Sequence, residues 1–178
     1  MGARLTTAIK IARTAKGILR KSRSFPPLDF DSPDAPNDLS DIGVEPILLA
    51  LAMELALKAW IVFDHNDVPK ELRQHDLEKL FNVLKPASQA KLDAEFKRSV
   101  APCHPDFLYI DYGIRHVLHQ HKDAFITWRY IHELEKPTIF KQSVFEATLE
   151  MVLAEFDKRY FEVKISTSGA IQDTLGGF

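Results

Sequence analysis

The sequence predicts an all-α protein, an antiparallel helical bundle of four to five core helices with a basic N-terminal helix in front of it. Two observations predict this most directly. From Ile47 to Leu84 an almost wholly apolar run is followed by a short polar break and a second amphipathic segment that opens Gln74-His75-Asp76-Leu77. From Asp111 to Glu133 apolar residues recur at Ile114, Val117, Leu118, His121, Phe125, Trp128 and Ile131, a helical period with polar residues on the other side. With 178 residues and 46% hydrophobic composition, the chain can bury one sizeable core, whereas two domains would each be thin.

The formal charge of −2 conceals an asymmetry. Residues 1–24 carry seven basic residues and no acid, so the remainder holds 16 basic and 25 acidic residues, a balance of −9. Apolar residues in the first segment fall at Leu5, Ala8, Ile9, Ala12, Ala15 and Leu19, close to helical spacing, with Arg13 and Arg20 among the cations between them. Four readings compete for this arm: a membrane-surface helix, a nucleic-acid-binding arm, an Arg-rich targeting peptide, and a helix lying on the acidic domain or on its dimer mate. The opening Met1-Gly2-Ala3-Arg4-Leu5-Thr6 also fits the loose N-myristoylation pattern, which short sequences match often by chance. Residues 25–43, rich in proline and aspartate, read as an extended linker.

Glu45-Pro46 opens the first core helix, proline being tolerated in a first turn and the acid lying near the positive end of the helix dipole. From Ile47 to Phe63 only Glu54 and Lys58 are charged, and at i and i+4 they share a face and can pair on its exposed strip. Seventeen residues with two central charges suit a buried helix better than a membrane span. The short connection after Phe63 predicts an antiparallel neighbour, with Leu77, Leu80, Phe81 and Leu84 on its inner face. Pro86 ends that helix, and Ser88 is an N-cap candidate for a third, Gln89 to Ser99. After the long segment 111–133 comes a break at Lys136-Pro137, then helical spacing from Gln142 to Tyr160. Phe161 to Ile165 alternates weakly like a short strand that closes the bundle at 44–165, and 166–178 reads as a flexible tail. The single cysteine, Cys103, leaves no disulfide framework, so a buried free thiol and a cytoplasmic setting are expected.

Several of these residues form a pattern. Glu54-x-x-x-Lys58, then Pro69, then His75-Asp76-Leu77-x-x-Leu80-Phe81, and Asp123-Ala124-Phe125 leading into Trp128-Arg129-Tyr130, resemble the HEPN domain (higher eukaryotes and prokaryotes nucleotide-binding) over about Ile47 to Tyr160. The resemblance implies an antiparallel helical bundle of a kind that commonly dimerises. It also implies either a metal-independent endoribonuclease of a toxin, defence or RNA-processing system or a catalytically inactive binding or assembly module. Active members share an arginine, usually followed by a polar residue, and a histidine four to six residues on, a spacing that Arg115-His116-x-x-x-x-His121 fits. Carried over, His121 is the base that takes the ribose 2′-hydroxyl proton, Arg115 binds the scissile phosphate, and His116 assists by hydrogen bonding. Six positions of a straight helix rotate by about 600°, so this site requires a kink or a contribution from a dimer mate.

The residues themselves leave alternatives open. His121 falls on the apolar side of its segment, where a hydrogen-bonded core histidine is the common finding. His116-x-x-His119 and Asp123 suggest a metal site, but no His-Glu-x-x-His signature or paired cysteines accompany them, and neither a metal nor another cofactor is expected. Arg129, between Trp128 and Tyr130, is placed either to stack on bases or to pair with Glu133. Arg129, Lys122, Arg13 and Arg20 are therefore the expected nucleic-acid contacts, with RNA, a second copy of the chain and an antitoxin-like protein as expected partners.

Overall fold

In the computed structural model the described residues are 2–24, 43–65, 70–104, 112–133 and 139–175, the last stretch as backbone alone beyond Phe161. They form seven α-helices and three 3-10 turns with no strand among them. The helices are α1 (Ala3–Ser22), α2 (Val44–Asp64), α3 (Leu77–Val83), α4 (Pro86–Ser99), α5 (Ile114–Gln120), α6 (Ala124–Arg129) and α7 (Gln142–Leu175). Apart from Gly43, the proposed linker lies outside the described residues, as do residues 176–178 of the proposed tail.

α2 is the centre of the bundle because its sequence is apolar on every side. α1, α3, α6 and α7 all pack on it, and Leu49, Met53, Leu57, Trp60 and Ile61 are fully buried. By length and composition α2 could cross a membrane, but here most of its apolar residues are enclosed by those neighbours. Its N-cap, Gly43, has φ +100°, a left-handed conformation in which any side chain would be strained. Glu54 and Lys58 pair at 2.6 Å, but not on an exposed strip: the Glu54 side chain is 4% exposed and also meets His75 Nδ1 at 2.9 Å.

Ion pairs and hydrogen bonds fix the helix directions. Lys16 pairs with Asp157, and Arg23 with Glu146 and Glu150, so α1 and α7 run antiparallel. α4 and α7 are antiparallel as well, through Arg159 to Ser88 and Lys91 to Glu155. α7 runs in the same direction as α2, matching Gln142 to Glu45, Val152 to Trp60 and Arg159 to Asp64.

α3 also runs in the direction of α2, contrary to the expected hairpin. His75 sits beside Glu54, while His65 meets the Val83 carbonyl and the Lys85 N–H donates to Asp64. By His75 the chain is already back beside the middle of α2, and α3 begins from there. Asp76 caps α3, accepting from the Lys79 N–H at 2.9 Å.

Three further expectations change. Pro86 opens α4 at its first turn, where its missing N–H costs nothing, and Ser88 lies buried inside the helix against Arg159. The expected strand 161–165 and most of the tail continue α7 as helix to Leu175. Cys103, in a 3-10 turn, is exposed.

The basic segment 1–24 is part of the bundle. α1 buries Ala8, Ala12, Ala15 and Leu19 in the same core as α2, so of the four readings the helix lying on the acidic domain describes its placement.

Candidate functional site

Within the expected helix 111–133 the described residues form two helices, α5 and α6, joined by a turn at His121–Asp123 and followed by a 3-10 turn at Ile131–Glu133. α5 starts at Gly113 because Asp93 of α4 reaches across to it. Asp93 Oδ1 accepts from the Ile114 N–H at 3.2 Å, and a Cβ on Gly113 would lie 2.4 Å from that oxygen. Gly113 is therefore required by close approach, not by its dihedral angles, which are extended. The His116 Nδ1 accepts from the Gly113 N–H at 3.4 Å, a weak additional cap.

Arg115 projects from α5 toward α3 and α4. Its guanidinium donates to Asn82 Oδ1 and, at 2.6 Å, to Gln89 Oε1, and it lies 5.1 Å over the Phe81 ring. Both hydrogen-bond partners are neutral amides, and no carboxylate among the described residues pairs with it. It borders an open cleft of about 390 Å³, lined also by Phe81, Gln89, Asp93, Lys97 and His116. Asp93 pairs with Lys97 at 2.8 Å, so Arg115 leaves the cleft with unbalanced positive charge.

His121 is elsewhere. Its side of the turn is closed by Phe140 and Phe145, each with its ring centroid 4.9 Å from the imidazole, and the residue is 3% exposed. Nδ1–H donates to the Val117 carbonyl at 2.8 Å, and Nε2 accepts from the Lys141 N–H at 3.1 Å. This pattern assigns the neutral Nδ1–H tautomer. Burial pushes its pKa below the ordinary value; the Val117 hydrogen bond opposes the shift and the Lys141 charge adds to it. The expected general base is thus enclosed with both nitrogens occupied. It does not share the Arg115 cleft, because the chain turns at 121 and carries the ring toward α7.

His116 is exposed at the cleft, its ring 5.9 Å from that of Tyr112. His119 Nδ1 meets Glu78 Oε2 at 2.8 Å, and no cluster of three metal-ligating side chains occurs among the described residues. Lys122 is half-buried in the turn, its carbonyl accepting from the Leu77 N–H at 3.1 Å. Arg129 lies 5.4 Å over Tyr130 on the exposed end of α6. Arg13 and Arg20 are exposed on α1.

Gln89 and Lys97, which line the cleft, and Asn82, which bonds Arg115, escaped the sequence reading. They come from α3 and α4, and only tertiary packing brings them to Arg115. No family model, curated protein or solved structure matches this chain.

Proposed function

We propose that this protein is an RNA-binding module of the HEPN type, in which Arg115 contacts a backbone phosphate and His121 serves the fold instead of cleavage. The observation that carries this reading is the Arg115 guanidinium, oriented by two neutral amides, paired with no carboxylate among the described residues and open to a cleft. A guanidinium so held is pre-organised for a phosphate oxygen, since little side-chain freedom remains to be lost on binding. Lys97 and His116 border the same cleft, and Phe81 gives it an apolar wall. The reading carries with it the cytoplasmic homodimer and antitoxin-like partner implied by the family resemblance.

Binding of a fluorescein-labelled oligouridylate, followed by anisotropy, tests it. Arg115→Gln is expected to weaken binding about tenfold, the cost of one charge-assisted contact, and Arg115→Lys to restore only part of it. Unchanged affinity in Arg115→Gln would sink the proposal. Incubation with RNA in EDTA tests the catalytic part separately. Intact RNA is expected, whereas cleavage that disappears in His121→Ala would make the protein a ribonuclease.

A further inference from the structure

We infer that the outward face of α1 is a second nucleic-acid surface, one that follows a phosphodiester backbone through Lys10, Arg13 and Arg20. The inference does not depend on the Arg115 cleft, which lies on other helices. α1 contains six cations and no acid. Among them Lys16 is held by Asp157 of α7, and beyond the helix end Arg23 is held by Glu146 and Glu150. Lys10, Arg13 and Arg20 are exposed and meet no carboxylate among the described residues. At about 100° and 1.5 Å per residue, the three lie within roughly 80° of arc over about 15 Å of helix. They form a strip along one side, opposite the buried Ala8, Ala12, Ala15 and Leu19.

The floor of that strip is smooth. Thr14 turns its hydroxyl back to the Lys10 carbonyl at 3.1 Å, and around Gly17, between Arg13 and Arg20, a Cβ would meet nothing within 4 Å. A polymer can therefore lie close to the helix between the cations.

The occupant follows from what the other face of α1 does. A helix that binds an anionic membrane inserts its apolar side between the lipids, and in this protein that side is buried against α2. Cations and threonines face outward, with no large apolar side chain exposed among the described residues of α1. The balance of −9 over the rest of the chain makes this strip a local exception, so it suits a flexible polyanion better than a broad negative surface, which the acidic domain would repel. Arginines present two donors to one phosphate, and spaced single cations track successive phosphates without reading bases.

The full chain and a variant carrying Lys10→Gln, Arg13→Gln and Arg20→Gln are compared for binding to a fluorescein-labelled oligouridylate across a salt series. At roughly 0.7 per phosphate for a single strand, loss of three contacts is expected to reduce the log–log salt slope by about two, with affinity at least tenfold lower near 0.1 M salt. The charge-retaining set Lys10→Arg, Arg13→Lys and Arg20→Lys is expected to bind like the parent. An unchanged slope in the glutamine variant overturns the inference, as does an equal loss in the charge-retaining set. Sedimentation with phosphatidylserine-containing vesicles supplies the last arm. If the glutamine variant loses vesicle binding while keeping oligouridylate binding, the face belongs to a membrane and the inference fails. Arg115→Gln alone is expected to change the slope by only about 0.7, so failure of one surface is distinguishable from failure of the other.

Discussion

His121 joins the end of α5 to the start of α7 with one neutral ring: it bonds Val117 and Lys141 and is enclosed by the rings of Phe140 and Phe145. Its pKa lies below the ordinary 6.5 because burial disfavours the cation. The sign follows. The unfolded chain takes up the proton first, so the stability due to this group is full above about pH 6.5 and is lost as pH falls toward the lowered folded value. Urea melts at pH 7.5 and pH 5.5 are expected to show the protein weaker at the acid end, and His121→Gln to reduce that difference while costing about 1–3 kcal/mol at neutral pH, since the Val117 carbonyl loses its Nδ1–H donor and Phe140 and Phe145 lose the ring between them. A pH dependence as steep in His121→Gln as in the parent would place the titrating group elsewhere. Periodicity already put His121 on the apolar side of its segment. What periodicity could not supply was Phe140, Lys141 and Phe145, some twenty residues on, which turn a half-legible core histidine into a closed one.

Among the elements, the α5–α6 joint was hidden most completely. The period continues through 121–123 because the turn keeps the same faces inward on both sides, and no proline or glycine marks the break. Its physical justification is remote, since Leu77 at the start of α3 donates to the Lys122 carbonyl. The direction of α3 was likewise illegible, because a connection's length limits its reach but does not say whether the chain returns before the helix starts. The start of α5 yields a sharper test. Gly113→Ala drives a Cβ into Asp93 Oδ1 and is expected to cost about 1–3 kcal/mol in urea denaturation. Asp93→Ala removes the obstacle along with the cap, so Gly113→Ala made in that background is expected to cost much less. Equal costs in both backgrounds would mean that the close approach is not what requires glycine.

At the scale of the whole molecule, the all-α class and the central position of α2 followed from composition and periodicity, since a helix apolar all round must be surrounded. The placement of α1 did not, because four environments suit a basic amphipathic helix equally well until one sees what covers its alanines. With Ala8, Ala12, Ala15 and Leu19 in the common core, removing residues 1–24 uncovers one side of α2 as well as stripping charge. The truncated chain is expected to aggregate or to melt well below the parent, as read by size-exclusion chromatography and thermal denaturation. A truncated chain as soluble and stable as the parent would show the α1–α2 contact to be dispensable. Substitution of the outward cations, which leaves that contact alone, is the cleaner route to the function of α1.

The two tryptophans lie in different parts of this arrangement. Trp60 is fully buried on α2, bonded to the Val152 carbonyl and flanked by Arg159 and Phe156. Trp128 is half-buried on α6, edge-on to Phe140, the same ring that covers His121. The molecule therefore carries two indole fluorophores with separate duties. With Trp60 replaced by phenylalanine, the emission of Trp128 reports on the surroundings of His121, and with Trp128 replaced, that of Trp60 reports on the core. Light alone can then distinguish a local protonation from the loss of the fold.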